Sequence, residues 1–337
     1  MADNYLCLDI GERFTKIGDI KKSGETIEIS SLGKIETNEY FYSTDMEKNL
    51  DLQSKNIKKL VDSLKITKKN VNVVIPGSFT YNQILVMPIL NEKELISAIK
   101  YQADQFIPMP IEETNIDIEI IDEYKTEGKL LILIVAAPKK LIEKIQTTVE
   151  LSGLVPESIE NELSASSRFV SVFSKKLMPQ SKNGLILANF GLNSTSLAYF
   201  QGENLTLKES HNFAIGYSLF LKEIQVNTDS DNKKAGEILL SYDKNTTSSY
   251  PVDVIAGPLI REFTQELKRF SLGKNVSKIV VFNEIFLFPA LPSFVFDDLK
   301  IETKEIDLYS SCQKSPLVDS YKKELSVYLP TFGGNLR

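Results

Sequence analysis

One short pattern occurs twice in this sequence and constrains the fold more than any other feature. Near the start, the apolar run Tyr5–Ile10 stops at Gly11, and Thr15-Lys16 open a second run. In the other half, Leu185–Phe190 stops at Gly191, and Ser194-Thr195 open the next one. The residue two before each glycine is Asp9 in the first case and Asn189 in the second. A strand–turn–strand unit repeated in two halves of a chain predicts two related lobes, each built on a hairpin.

The chain is long enough for this. Its 337 residues, 42% hydrophobic and 25% charged, allow a core in each lobe without a disulfide or metal staple. The two cysteines, Cys7 and Cys312, lie far apart, and no CxxC pair exists. Cys7 sits in an apolar strand and reads as a small core residue. His211 is the lone histidine, which leaves a zinc site or a histidine-based triad little to build on. A net charge of −6 argues against a nucleic-acid partner. No basic segment precedes an apolar stretch at the N-terminus, so no signal peptide is read. The most apolar run, Leu130 to Pro138, is too short to span a bilayer, and no direct membrane insertion is expected.

Periodicity predicts strands at Tyr5–Ile10, Thr15–Ile20, Thr26–Leu32 and Val71–Ile75, and a helix at Asn56–Leu64. Next come a strand at Gln83–Met87, a helix at Lys93–Phe106 ended by Pro108 and Pro110, strands at Asn115–Tyr124 and Lys129–Ala136, and a helix at Lys139–Ser152 closed by Gly153. That order makes residues 83–153 a compact α+β insertion. A helix is expected over Glu162–Lys176, then a linker, then strands at Leu185–Phe190, Thr195–Gln201 and Leu205–Phe213. Gln225–Tyr250 reads as a solvated excursion, Val254–Phe270 as a helix and Lys278–Phe282 as a strand. The first lobe is thus assigned to residues 1–82 and 154–180 with a C-terminal helix at 320–337. The second lobe is assigned to 181–319, with a smaller subdomain at about 217–275.

The hairpins suggest a chemistry. A glycine where the chain turns lets backbone N–H groups approach an anion, and hydroxyls and a cation add donors. Gly11, Thr15 and Lys16 form one such set, and Gly191, Ser194 and Thr195 the other. Asp9 could hold magnesium, usually through water. Either string alone reads first as an ordinary strand end with a tight turn.

Read together, the strings resemble the PilM family of type IV pilus assembly proteins, whose fold is actin-like (ribonuclease H-like): α/β, two-lobed, with an inserted α+β subdomain. The resemblance is carried by Leu8-Asp9-Ile10-Gly11 with Lys16, by Tyr101–Asp117 with Ile107-Pro108-Met109-Pro110, by Leu151–Arg168, by Ile215-Gly216 and by Phe332–Arg337. It implies an ATP/Mg site on Asp9, Gly11, Thr15, Lys16, Asn189, Gly191, Ser194, Thr195 and Gly216, with Asp9 toward the metal. Glu162 is the candidate catalytic residue. It also implies a scaffold on the inner face of the membrane, binding the N-terminal cytosolic peptide of a PilN-like bitopic protein. Phe106, Ile107, Met109 and Ile111 would line that groove, and self-association is a further implied contact.

Two departures bear on the nucleotide. Asn189 stands where the family has aspartate. Phe282-Asn283-Glu284-Ile285 stands where the family has a glycine-rich adenosine loop. The alternatives are an ATP-hydrolysing or phosphotransferring enzyme of the actin and sugar-kinase kind, and an FtsA-like filament former. The latter is expected to carry a terminal amphipathic helix that is not read before Arg337.

Overall fold

In the computed structural model, residues 5–102, 107–178, 183–244 and 250–337 are described. They divide into two compact units. One comprises Met1–Val172 with Pro330–Arg337, and the other Phe173–Leu329.

The first unit runs β1 (Tyr5–Ile10), β2 (Phe14–Ser23), β3 (Thr26–Glu36), α1 (Glu47–Ser63), β4 (Asn70–Ile75), β5 (Tyr81–Pro88), α2 (Glu92–Gln102), β6 (Thr114–Tyr124), β7 (Lys129–Pro138), α3 (Lys139–Leu151), β8 (Val155–Asn161) and α4 (Glu162–Val172). Its main sheet has the order β3-β2-β1-β4-β8. The hairpin pairs are antiparallel, and β1, β4 and β8 run parallel. Leu6, Leu8, Ile10, Val71 and Val73 pack with Ile57, Leu60, Ile145 and Val149 of α1 and α3. A separate antiparallel sheet, β5-β7-β6, is covered on one face by α2 through Leu95 and Ile99.

The second unit runs α5 (Ser174–Leu177), β9 (Gly184–Phe190), β10 (Thr195–Gln201), β11 (Thr206–Phe213), α6 (Tyr217–Thr228), α7 (Asn232–Ser241), α8 (Val252–Ile255), α9 (Gly257–Ser271), β12 (Val276–Asn283), α10 (Leu291–Leu299), β13 (Glu302–Glu305) and α11 (Pro316–Tyr321). Its sheet, β11-β10-β9-β12-β13, has the same order and strand directions as the main sheet of the first unit. The repeat read from two hairpins is therefore a repeat of whole sheets.

The last helix, α12 (Leu329–Asn335), returns the chain end to the first unit. It needs Gly333 and Gly334 there. A Cβ on Gly333 would lie 1.8 Å from the Ala165 carbonyl oxygen, and one on Gly334 2.3 Å from Cys7 Sγ. Asn72 and Arg168 donate to the carbonyls of Gly334 and Gly333 at 3.2 and 2.8 Å.

Several expectations are corrected. The span from Gln225 to Tyr242 is the end of α6 and α7, with Ile224, Ala235, Ile238 and Leu239 buried in the core. Asp231 caps α7 by accepting the Lys234 N–H. The single helix at Glu162–Lys176 is two, α4 and α5, parted at Phe173. Helix α1 begins at Glu47, well before Asn56, and β8 is a strand the sequence reading omitted.

Candidate functional site

Each hairpin turns the same way. In the first, the Gly11 N–H donates to the Phe14 carbonyl at 3.1 Å. In the second, the Gly191 N–H donates to the Ser194 carbonyl at 3.0 Å. A Cβ on either glycine would meet that carbonyl oxygen at 2.8 or 2.9 Å, so the turn requires glycine. The side chains beyond the turns differ.

In the first hairpin, register places Asp9 opposite Lys16. Lys16 Nζ lies 2.7 Å from Asp9 Oδ2, and both side chains are buried. Burial pushes the Asp9 carboxyl up from its ordinary value, against the pull of Lys16. Glu162, the first residue of α4, accepts the Gly77 N–H at 3.0 Å. Burial, and then the neighbouring Asp9 charge, push its carboxyl up to about 7. The Lys16 charge pulls both carboxyls the other way without reversing the effect of burial.

Thr15 is fully buried. Gln53 Nε2 donates to its oxygen at 2.7 Å, its Oγ1 meets Thr37 Oγ1 at 2.9 Å, and Thr37 donates to the Gly11 carbonyl at 2.8 Å. The Thr15 hydroxyl therefore donates to Thr37, completing a chain of bonds that braces the turn. Tyr42 closes the same loop by donating to the Ile10 carbonyl, its ring stacked on Phe79 at 4.3 Å. Neither Gln53, Thr37 nor Tyr42 was singled out from the sequence. Their proximity depends on where α1 and its preceding loop pack, which no local motif records.

The second hairpin holds amides in place of charges. Asn283 donates to Asn189 Oδ1 at 2.9 Å. Asn283 ends β12 at φ 73°, ψ −122°, a conformation that suits glycine, and does so with a side chain in place. Glu284 follows it, buried. Thr195 is buried and donates to the Ile215 carbonyl at 2.6 Å. The first N–H groups of α6, on Tyr217 and Ser218, donate to the carbonyls of Gly191 and Leu192 at 2.9 and 2.8 Å. Gly216 allows this docking, since a Cβ there would lie 2.5 Å from the Leu192 oxygen. Ser194 is half-buried at the turn.

The residues read as nucleotide ligands therefore fall into two clusters, one per unit. Most of their donors are committed inside the protein: Lys16 to Asp9, Thr15 to Thr37, Thr195 to Ile215, and the α6 N–H groups to the turn. Among the described residues, no group of three or more His, Cys, Asp or Glu side chains is arranged to hold a metal ion.

Of the residues expected to line a partner groove, Phe106 lies outside the described residues. Ile107 is buried against Ala136, with Tyr81, Met109, Ile111 and Ile116 packed around it. These side chains support the inserted sheet. A cleft of about 100 Å³ lies beside them, where β6, an edge strand of the small sheet, approaches β8, an edge strand of the main one. Ile116, Val135, Ile142 and Ile159 give it apolar walls, and Asn115, Asp117, Glu160 and Asn161 a polar rim. Glu160 is held by Arg168 at 2.6 Å. Asn161 caps α4 by accepting the Ser164 N–H at 2.9 Å, which places the cleft one residue from Glu162.

Among the described residues, no helix is long and apolar enough to cross a membrane. Among solved structures, the chain is similar to the PilM-PilN type IV pilus biogenesis complex, with a TM-score of 0.83, 18% identity and 99% of each chain covered. It is also similar to the ethanolamine utilization protein EutJ from Carboxydothermus hydrogenoformans, with a TM-score of 0.54 and 10% identity over 98% of this chain and 88% of that one. These likenesses show the actin-like fold. The model of the type IV pilus assembly protein PilM family matches residues 7–336, nearly the whole sequence, and the chain belongs to that family.

Proposed function

We propose that the chain is a scaffold of a type IV pilus assembly platform. It holds the N-terminal cytosolic peptide of a PilN-like membrane protein in the cleft between β6 and β8, and it works without nucleotide turnover. Through that peptide it sits on the cytoplasmic face of the membrane. The observation that carries this reading is the cleft itself, bounded by two edge strands within a chain that matches the family from residue 7 to 336. An extended peptide between two sheet edges finds backbone partners on either side, and the apolar walls take its alternate side chains.

Titration with the N-terminal peptide of the PilN-type protein tests it. Binding is expected, and Ile116→Asp or Ile159→Asp is expected to abolish it. No binding at high micromolar peptide would overturn it.

One observation favours a nucleotide-hydrolysing reading. A carboxyl held near 7, as at Glu162, is suited to general-base work. ATP turnover that is lost in Glu162→Gln would support that reading over the first.

A further inference from the structure

The first part of the inserted subdomain is strongly acidic. Residues 83–124 hold nine acids and two lysines, an excess larger than the net −6 of the whole chain. Five of those acids, Glu112, Glu113, Asp117, Glu119 and Glu123, are exposed on β6 or the turn before it. Two of them, Asp117 and Glu119, line a second groove, of about 600 Å³, between α2 and β6.

The floor of this groove is apolar. Ile116, Ile118 and Ile120 line one side, and Leu95, Ile96 and Ile99 the other. Among the described residues, α2 packs on the small sheet with Ile116 and Ile118 of β6 beside it, and Ile120 further along β6 is 57% exposed.

The groove and the cleft of the proposed function share Ile116 and Asp117. Asn115, Ile116 and Asp117 line the cleft, and Ile116 through Ile120 line the groove. Both lie along one edge strand of 11 residues, about 3.3 Å each. An extended chain that follows the β6 edge passes from one into the other.

We infer that the α2–β6 groove receives the membrane-proximal, lysine- and arginine-bearing stretch of the same partner chain whose end fills the cleft. This inference rests on the proposed scaffold reading. A protein anchored by one membrane span carries excess Lys and Arg on the cytoplasmic side, close to that span. An apolar floor rimmed by carboxylates suits a chain that alternates apolar and basic residues, pairing its cations with the rim. The same acids disfavour direct contact with anionic lipid headgroups, so the partner's cations stand between this subdomain and the bilayer.

Two peptides from the PilN-type partner test the inference, one ending before the membrane-proximal cations and one including them. The longer peptide is expected to bind about tenfold more tightly at low salt, and the gain to shrink at about 0.5 M salt. Glu119→Lys, at a residue that lines the groove and not the cleft, is expected to erase the gain and leave the short peptide's affinity unchanged. Ile120→Lys, at an exposed position the fold tolerates, is expected to act the same way. Equal affinity of the two peptides, or a gain that survives both variants, overturns the inference and leaves the scaffold reading intact. Failure of both peptides to bind overturns the scaffold reading and this inference with it.

Discussion

The two hairpins share a turn, a sheet order and a place in their sheets, yet they fill the space behind the glycine with opposite chemistries. Behind Gly11 is a buried ion pair, Asp9 with Lys16, and a second carboxyl at Glu162. Behind Gly191 is a neutral amide pair, Asn189 with Asn283. Buried polar atoms need partners; the amide pair meets this with a hydrogen bond, whereas the charged one places an ion pair on Asp9 Oδ2 and, among the described residues, leaves Asp9 Oδ1 without a hydrogen bond. The charged solution depends on the presence of all its members, because removal of one leaves a buried charge. The amide solution is less demanding and less sensitive to pH.

The largest expected effect comes from breaking the charged pair. Lys16→Met is expected to cost about 3–5 kcal/mol in urea denaturation, since Asp9 stays buried without its cation. Copying the neutral solution, with Asp9→Asn added to Lys16→Met, is expected to recover most of that loss. A double variant as unstable as the single would mean that packing around the Lys16 stem, and not charge, is what the hairpin needs.

The next effect is pH dependence. The Glu162 carboxyl moves from an ordinary 4.5 to about 7 on folding. A raised carboxyl favours the protonated, folded form. Its contribution is full below pH 4.5 and is lost as pH rises through 7, about 3 kcal/mol in all. Glu162→Gln keeps an acceptor for the Gly77 N–H and is expected to flatten this part of the profile. At pH 8 it should be more stable than the native chain by about 1–3 kcal/mol.

Smaller effects are expected in the second hairpin. Asn189→Asp places a carboxylate where the residue is 9% exposed, and is expected to cost about 1–2 kcal/mol above pH 6. Asn283→Gly relieves a strained backbone and loses a hydrogen bond, each about 1 kcal/mol, so the net change is expected to stay within about 1 kcal/mol. A large loss there would show that the amide pair is as cooperative as the ionic one.

The parts of the fold that were legible in the sequence were those where one face or both are apolar. Strand β1 is buried from Leu6 onward, and β9 throughout, so each reads as a continuous apolar run. Strand β8 was not legible, because an edge strand tolerates Pro156, Glu157 and Glu160 where a central one would not. The helices α6 and α7 were hidden by their solvent faces, although Ala235, Ile238, Leu239 and Tyr242 keep helical spacing toward the core.

The site was legible only as far as local strings reach. The glycines, Asp9, Lys16 and the loss of charge at Asn189 all stand out in the sequence. That Lys16 turns onto Asp9 follows from hairpin register, and that Asn283 answers Asn189 follows from the parallel pairing of β12 with β9. The proline-marked segment at Ile107–Ile111 is legible as a string, and the cleft beside it is not. Its walls come from Ile116, Ile142 and Ile159, on three different elements, and no local pattern joins them.

The most direct test of the hairpin comparison is thermal denaturation of the whole chain with and without millimolar Mg-ATP. A ligand of the folded state at a hundred times its Kd adds about 2.7 kcal/mol. With Lys16, Thr15, Thr195 and the start of α6 already committed within the protein, the expected result is an unchanged Tm. A Tm that rises with ATP concentration, and does so less in Asp9→Asn/Lys16→Met, would contradict it.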